Sequence, residues 1–231
     1  MLVYARPKNS TGLRRPYRGH SQALSHMKTL AQNLKTMYTQ IMKTKVTIYH
    51  GSSVPNLTIL TPRQSMHDKP YIYFSTNIVV AALYTANPLK SPHYWYPYGF
   101  DKDGRVKYSE VYPDALKDFY GGKKGYIYEC IVDKSLLENL PQIPSAKLST
   151  VPVKVHKCIK INDAYKQFLQ YIKDDKFVLT EYKKMTEKGI QWYHNSIIDS
   201  LNEHGENNSY SDFIKLKMPI VWEEYLSRKL N

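Results

Sequence analysis

The stretches IYHGSS, at residues 48–53, and YIYFSTN, at residues 71–77, show most clearly how this chain is organised. Each is a short run of β-branched and aromatic residues that ends in glycine, serine or asparagine, which is the pattern of a buried strand running into a turn. We therefore predict strands over residues 46–50 and 71–75. Residues 77–85, which follow the second stretch, are rich in valine and alanine and predict a short helix.

Ahead of these strands, apolar residues recur every three to four positions between residues 21 and 41, which predicts an amphipathic helix that Ser21 caps. These apolar positions are Ala23, Leu24, Met27, Leu30, Ala31, Leu34, Met37, Tyr38 and Ile41. Residues 1–20 show no such period and predict a basic flexible arm. The N-terminal helix is accordingly placed over residues 21–45.

Beyond the two strands, the pattern changes from strands to helices along the chain. Residues 86–125 are rich in proline and aromatic side chains without a period, and they predict a long irregular segment. Residues 126–132 and 151–161 alternate in the way of strands, and residues 162–231 hold several helical stretches. The predicted fold class is α+β, with a β-rich core over residues 46–161 and a helical C-terminal region packed on it.

The positive charge of the chain is concentrated near its N-terminus. The formal net charge is +13, and the first 67 residues contain no Asp or Glu. This excess predicts attraction to a nucleic acid or an acidic protein partner, and the alternative is a solvated basic surface. The candidate contact residues are Arg14, Arg15, Arg18, Lys28 and Lys35.

Other classes of protein and site are disfavoured by composition. No apolar run approaches the ~18 residues that a membrane helix needs, so we expect no membrane partner. Cys130 and Cys158 lie in strand-like runs without CxxC spacing, and we expect reduced core thiols in a cytoplasmic protein. The histidines are scattered at spacings that suit no metal site, so no metal is expected.

Residues 48–53 and 71–84 together resemble the poly(ADP-ribose) polymerase and diphtheria-toxin branch of the ADP-ribosyltransferases. In that branch one strand ends in His-Gly followed by Ser or Thr, and a later strand carries a tyrosine that a second tyrosine follows eleven positions on. This chain has His50-Gly51-Ser52, then Tyr73, and Tyr84 at that spacing. The resemblance implies a split antiparallel β-sheet core and NAD as the substrate.

The resemblance also implies roles for individual residues. Tyr73 and Tyr84 would hold the nicotinamide ring between them, the backbone of Gly51 would bind its carboxamide, and His50 would donate to the ribose of the adenosine half. Ser52 or Ser75 would add a hydroxyl. Taken singly, each of these residues also has an ordinary packing or hydrogen-bonding role as an alternative.

The third element that the resemblance implies is a carboxylate on a later strand, which stabilises positive charge developing on the nicotinamide ribose. Residues 145–150 (SAKLST) lead into the predicted strand at 151–161 and contain no acid. Glu129, on the predicted strand at 126–132, is the candidate catalytic residue, and Glu110 lies in the irregular segment. Loss of one such electrostatic group commonly costs about 10²–10³ in rate, so transfer without it would be slow or absent.

Three functions are compatible with these features. The first is a mono-ADP-ribosyltransferase that modifies a protein or nucleic acid. The second is a catalytically inactive module of the same fold whose basic N-terminal region binds nucleic acid or an acidic protein. The third is a nucleic-acid-binding protein in which the tyrosine-rich residues 94–120 stack on bases, the resemblance being accidental.

Overall fold

The computed structural model describes residues 19–64, 69–86 and 98–230 of the 231-residue chain. The chain divides into two compact units, Met1–Thr44 and Lys45–Asn231. No helix in the described ranges is long and apolar enough to cross a lipid bilayer.

The first unit contains helix α1, Gly19–Thr44, which confirms the helix predicted over residues 21–45; it begins two residues earlier and ends one residue earlier. The side chains described between residues 26 and 37 are all exposed, including four apolar ones, Met27, Leu30, Leu34 and Met37. The predicted arm lies outside the described residues apart from Gly19 and His20, which begin α1.

The second unit contains the remaining described elements. The helices are α2 (Ile78–Leu83), α3 (Ala115–Tyr120), α4 (Ala164–Lys173), α5 (Glu187–His204), α6 (Ser209–Lys217) and α7 (Pro219–Lys229). The strands are β1 (Lys45–Ser52), β2 (Ile59–Leu60), β3 (Ile72–Ser75), β4 (Tyr98–Phe100), β5 (Val106–Ser109), β6 (Gly125–Asp133), β7 (Glu138–Leu140), β8 (Ile143–Ser149), β9 (Val153–Lys154), β10 (Lys157–Ile161) and β11 (Phe177–Thr180).

The main sheet is antiparallel, with the described strands in the order β10-β6-β1-β3-β8-β7. β1 lies inside this sheet and pairs with β6 along its whole length, from Lys45 opposite Asp133 to Ser52 opposite Tyr126. A smaller sheet has the order β11-β5-β4, and β2 pairs with β9. With helices concentrated toward the C-terminus, the chain is a mixed α+β protein, as the sequence predicted.

Each face of the main sheet covers its own hydrophobic core. On one face, Ile48 of β1 is fully buried with Phe74, Tyr128 and Val153. On the other face, α2, α3 and α4 pack against β5, β6 and β11, with Leu83, Leu116, Phe168 and Tyr108 all buried. A third core joins α3 to α5, α6 and α7.

Three element predictions were wrong in detail. The predicted strand at 151–161 is two strands, β9 and β10, because the chain changes partners between them: β9 pairs with β2, and from His156, whose N–H binds the Glu129 carbonyl oxygen, the chain pairs with β6. The described part of the irregular segment holds β4, β5 and α3, and the helical C-terminal region includes strand β11, which runs parallel to β5.

The two cysteines differ in their surroundings. Cys130 is buried in the core, as predicted, and burial raises the pKa of its thiol to about 11. Cys158 is exposed on β10, so the expectation of a core position was wrong for this residue. β10 is at the edge of the main sheet, where a side chain on its outer face meets solvent.

Candidate functional site at the separation of β1 and β3

The strands β1 and β3 pair at Tyr49 and Ser75, which is the one bridging pair between them in the described chain. Beyond it, toward Gly51 on β1 and Tyr73 on β3, the ladder does not continue. β1 remains paired with β6 over the same residues, so the two halves of the sheet separate at this point. We call this place the opening.

His50 spans the opening. Its Nδ1 donates a hydrogen bond to the Tyr73 carbonyl oxygen at 2.8 Å, where a backbone N–H would bind in a continuous ladder. The imidazole packs edge-on against Phe74, with ring centroids 5.9 Å apart.

The protonation state of His50 follows from these surroundings. Burial lowers the pKa of His50 below its ordinary 6.5, the Tyr73 carbonyl opposes that shift, and the charge of Arg63 adds to it. The neutral ring carries its proton on Nδ1, since a carbonyl can only accept, and Nε2 is therefore an acceptor. The predicted contact of His50 with a ribose remains a prediction, and Nε2 is the ring atom left to accept from a ligand hydroxyl.

Helix α2 lies directly against Gly51. A Cβ atom added at Gly51 would overlap the Ala81 carbonyl oxygen and lie 3.1 Å from the carbonyl carbon of Tyr84. Glycine at residue 51 therefore lets the helix approach the strand, and this approach fixes Tyr84 beside the opening. Asn77 caps α2 by accepting from the Val79 N–H at 2.9 Å.

Four of the predicted NAD-binding residues lie beside the opening, on two different faces of the sheet. Alternation along the strands puts His50 on the Phe74 side of the sheet and Tyr73 on the α2 side, where Gly51 and Tyr84 also lie. Tyr73 and Tyr84 are 36% and 44% exposed, so both residues reach the surface of the protein. A molecule that contacts all four residues would have to enter between the separated strands.

The two predicted serines have local structural partners. Ser75 is 4% exposed and accepts from the Asn77 N–H at 3.0 Å, which supports the start of α2. Ser52 accepts from the Val54 N–H at 3.1 Å and so stabilises the turn after β1.

The strand that borders β3 on its other side is β8, and its sequence IPSAKLS contains no acid. Ser145 of β8 is bonded through its carbonyl to the Thr76 N–H at 2.8 Å. The Ser145 hydroxyl oxygen is buried and has no hydrogen-bond partner within the described residues. Glu129 is on β6, on the opposite side of β1, where it pairs with Tyr49 and Lys157.

A cleft of about 600 Å³ begins at Tyr49, one residue before His50. Its described lining is Tyr49, Thr76, Asn77, Ile78, Val79, Phe100, Asp103, Gly104, Arg105, Pro144, Ser145, Asp175 and Lys176. Arg105 is ion-paired with Asp101 at 2.7 Å, with Asp103 at 3.6 Å, and with Asp175. Sequence reasoning missed this cleft because its wall combines β1, the β3–α2 connection, the β4–β5 turn, β8 and the α4–β11 turn, which are far apart along the chain.

The predicted partner-binding residues fall into two groups. Lys28 and Lys35 are exposed on α1, and their spacing of seven residues puts them on the same side of the helix. Arg14, Arg15 and Arg18 lie outside the described residues.

Comparisons of this chain with protein-family models, with curated proteins and with solved structures found no match.

Proposed function

We propose that this chain has an ADP-ribosyltransferase fold and acts as a mono-ADP-ribosyltransferase, binding NAD at the opening between β1 and β3. The observation that carries the proposal is the hydrogen bond from His50 Nδ1 to the Tyr73 carbonyl across that opening. It joins the two stretches whose sequences resemble the poly(ADP-ribose) polymerase and diphtheria-toxin branch. The position of Tyr84 against Gly51 supports the same assignment.

In the proposed site the residues have distinct tasks. Tyr73 and Tyr84 offer aromatic faces to the nicotinamide ring, and His50 Nε2 accepts from a ribose hydroxyl. The adjoining cleft of about 600 Å³ is within the size range of small-molecule sites and gives room beside Tyr49 for the rest of the dinucleotide. Holding the leaving ring in one orientation lowers the barrier by positioning.

The reaction breaks the bond between the nicotinamide nitrogen and the ribose carbon and forms a bond from that carbon to an acceptor oxygen or nitrogen. Nicotinamide leaves as a neutral molecule, and the acceptor loses a proton. Positive charge develops on the ribose during this exchange, and a nearby carboxylate stabilises it. Glu129 remains the candidate for that group.

A second candidate function is favoured by the acid-free sequence of β8. An NAD-binding module without a carboxylate beside Tyr73 would bind the dinucleotide and transfer slowly or not at all. In that case the basic N-terminal region would dock a nucleic acid or an acidic protein, and the proposed opening would serve recognition.

Transfer is tested with NAD labelled on its adenylate half. If the chain is a transferase, label accumulates on the chain itself or on an added protein or nucleic acid, and Glu129→Gln lowers the rate by about 10²–10³. If NAD binds without any transfer of label, the second candidate function replaces the first.

Binding at the opening is tested by titrating NAD into purified variants. We expect His50→Ala and Tyr84→Ala each to abolish binding because each removes a contact at the opening. His156→Ala is the matched control, since His156 is exposed and lies outside the cleft and the opening. If both variants unfold like the unmodified chain and bind NAD with unchanged affinity, NAD does not bind at the opening.

A further inference from the structure

Arg63 borders the opening on the edge of β3 from which β1 has separated. On that edge the Tyr73 carbonyl oxygen accepts from the side chain of His50. Two residues away, Tyr71 forms an isolated antiparallel bridge with Arg63, and each N–H donates to the other residue's carbonyl oxygen at 3.1 Å. The backbone of Arg63 is therefore fixed beside the opening, and its side chain is not needed for that.

The side chain of Arg63 lies on the same face of the sheet as the two predicted nicotinamide-binding tyrosines. Residues opposite each other in an antiparallel bridge share a face, and Tyr71 and Tyr73 share that face because they are two apart on one strand. The diagonal from Arg63 to Tyr73 corresponds to roughly 7–8 Å between Cα atoms, which a long side chain can span. Arg63 therefore places a cation within reach of a ligand held by Tyr73 and Tyr84.

The positive charge of Arg63 is not neutralised by a neighbour. The residue is exposed and makes no ion pair within the described part of the chain. Glu138, the carboxylate that accepts from the Tyr71 hydroxyl at 2.9 Å, pairs instead with Lys69 at 3.0 Å. The charge of Arg63 also contributes to the lowered pKa of His50, so it acts at the opening itself.

The adjoining cleft of about 600 Å³ is less suited to an anion. Three carboxylates share the guanidinium of Arg105, those of Asp101, Asp103 and Asp175, which leaves an excess of two negative charges. Lys176 lines the same cleft and offsets one of them. A phosphate would meet net negative charge there, so the cleft is better suited to uncharged groups.

We propose that Arg63 binds the diphosphate of NAD, so that the opening accepts phosphorylated nucleotides in preference to nicotinamide or its nucleoside. This inference rests on the proposed function, because it takes the nicotinamide ring to lie between Tyr73 and Tyr84. In NAD a single ribose separates that ring from the first phosphate. The planar guanidinium offers five N–H donors in a fork that matches phosphate oxygens, and it stays charged at any physiological pH.

Calorimetric titration of NAD, ADP-ribose and nicotinamide into the full chain and its variants tests the inference. Arg63→Gln should weaken the binding of NAD and ADP-ribose by about 10–100-fold, because a charge-assisted contact is lost, and should leave nicotinamide binding unchanged. Arg63→Lys keeps the charge without the fork and should give intermediate affinities. Both variants should fold normally, since the bonds to Tyr71 are made by the backbone.

Lys176→Gln is the matched control, because it removes one positive charge from the cleft instead of the opening. It should bind all three probes as the unmodified chain does. Added salt should weaken NAD binding to the unmodified chain more steeply than to Arg63→Gln, since screening acts on the contact that this variant lacks.

The outcomes separate this inference from the proposed function. If NAD binds and Arg63→Gln leaves NAD and ADP-ribose affinities unchanged, or weakens nicotinamide equally, the role of Arg63 is overturned and the proposed function stands. A loss in Lys176→Gln alone would place the phosphates in the cleft and overturn it as well. Binding of ADP-ribose without nicotinamide, weakened by Arg63→Gln, would keep Arg63 as a phosphate-binding residue and remove the nicotinamide site. If none of the three probes binds, both proposals fail.

Discussion

The imidazole of His50 takes the place of a backbone N–H at the point where β1 and β3 separate. Its Nδ1 proton is committed to the Tyr73 carbonyl, and burial favours the uncharged ring. A second proton on Nε2 would put a charge in a partly buried position, near the positive charge of Arg63. The contact between β1 and β3 at the opening therefore depends on the protonation state of His50.

Stability should therefore fall on acidification. Because the pKa of His50 is lower in the folded chain than its ordinary 6.5, the unfolded chain binds a proton more readily, and the stability contributed by the neutral ring is full above pH 6.5. It is lost as the pH falls from there through the lowered folded value. Chemical denaturation as a function of pH should show a smaller acid-side loss for His50→Gln, which keeps a donor for Tyr73 and cannot titrate. Parallel curves for the two proteins would contradict this.

Gly51 is a second residue on which the opening depends. Gly51→Ala should lower the free energy of unfolding by about 2 kcal/mol or more, because the added methyl group displaces the α2 backbone at Ala81. Gly99→Ala is the control, since a Cβ there meets nothing within 4 Å. Urea denaturation of both variants is the measurement, and equal stability would show that α2 moves away at little cost.

Among the individual residues, the sequence predicted those of the candidate site that lie close together along the chain. The run from Tyr73 to Tyr84 places a tyrosine at the end of α2, and His50-Gly51 places a histidine and a close approach next to each other. It was uninformative for Ser145, since its position beside Thr76 depends on which strand pairs with β3, and no local pattern encodes that pairing.

Among the elements, strand β8 was not predicted from the sequence. Its sequence IPSAKLS lacks alternating apolar residues, because only its last residues, Leu148 and Ser149, are buried. What holds β8 in place is backbone pairing with β3 on one side and β7 on the other. β6, in contrast, buries Ile127, Tyr128, Cys130 and Val132, and β1 buries Ile48; the positions of both strands were predicted to within two residues.

The segment after β1 is held by a single side chain of β6. The Tyr128 hydroxyl donates to the Val54 carbonyl at 2.7 Å and accepts from the Leu57 N–H at 3.3 Å. Tyr128→Phe should lower the free energy of unfolding by about 1–2 kcal/mol, because both bonds are lost. Faster amide exchange over residues 53–58 should accompany it. Tyr126→Phe, on the same face of β6, should leave exchange there unchanged; a similar increase would show that the bonds to Tyr128 are not what orders the segment.

In the whole molecule, the two compact units predict independent stability for the larger one. Removal of residues 1–44 should shift the thermal midpoint of the remaining chain by less than about 2–4 °C, the equivalent of 1 kcal/mol for a domain of this size. Differential scanning calorimetry of the full and shortened chains makes the comparison. A larger decrease would mean that α1 stabilises the rest of the chain.

The α+β class and the helix α1 followed from the sequence because the period of the apolar residues distinguishes a helix from a strand. The strand order did not follow, since it depends on pairings between residues distant along the chain. The exposure of Met27, Leu30, Leu34 and Met37 on α1 also could not be predicted, because an apolar stripe shows which side of a helix can pack without showing whether a neighbour covers it.

The pairing of β1 with β6 joins segments that leave the ribosome at different times. About 80 residues separate the end of β1 from the end of β6, which corresponds to roughly 4–16 s of synthesis. During that interval the nascent chain displays Val46, Ile48 and Tyr49 without their neighbours on β6. Molecular chaperones that shield such segments would therefore influence the yield of this protein in a cell more than its equilibrium stability suggests.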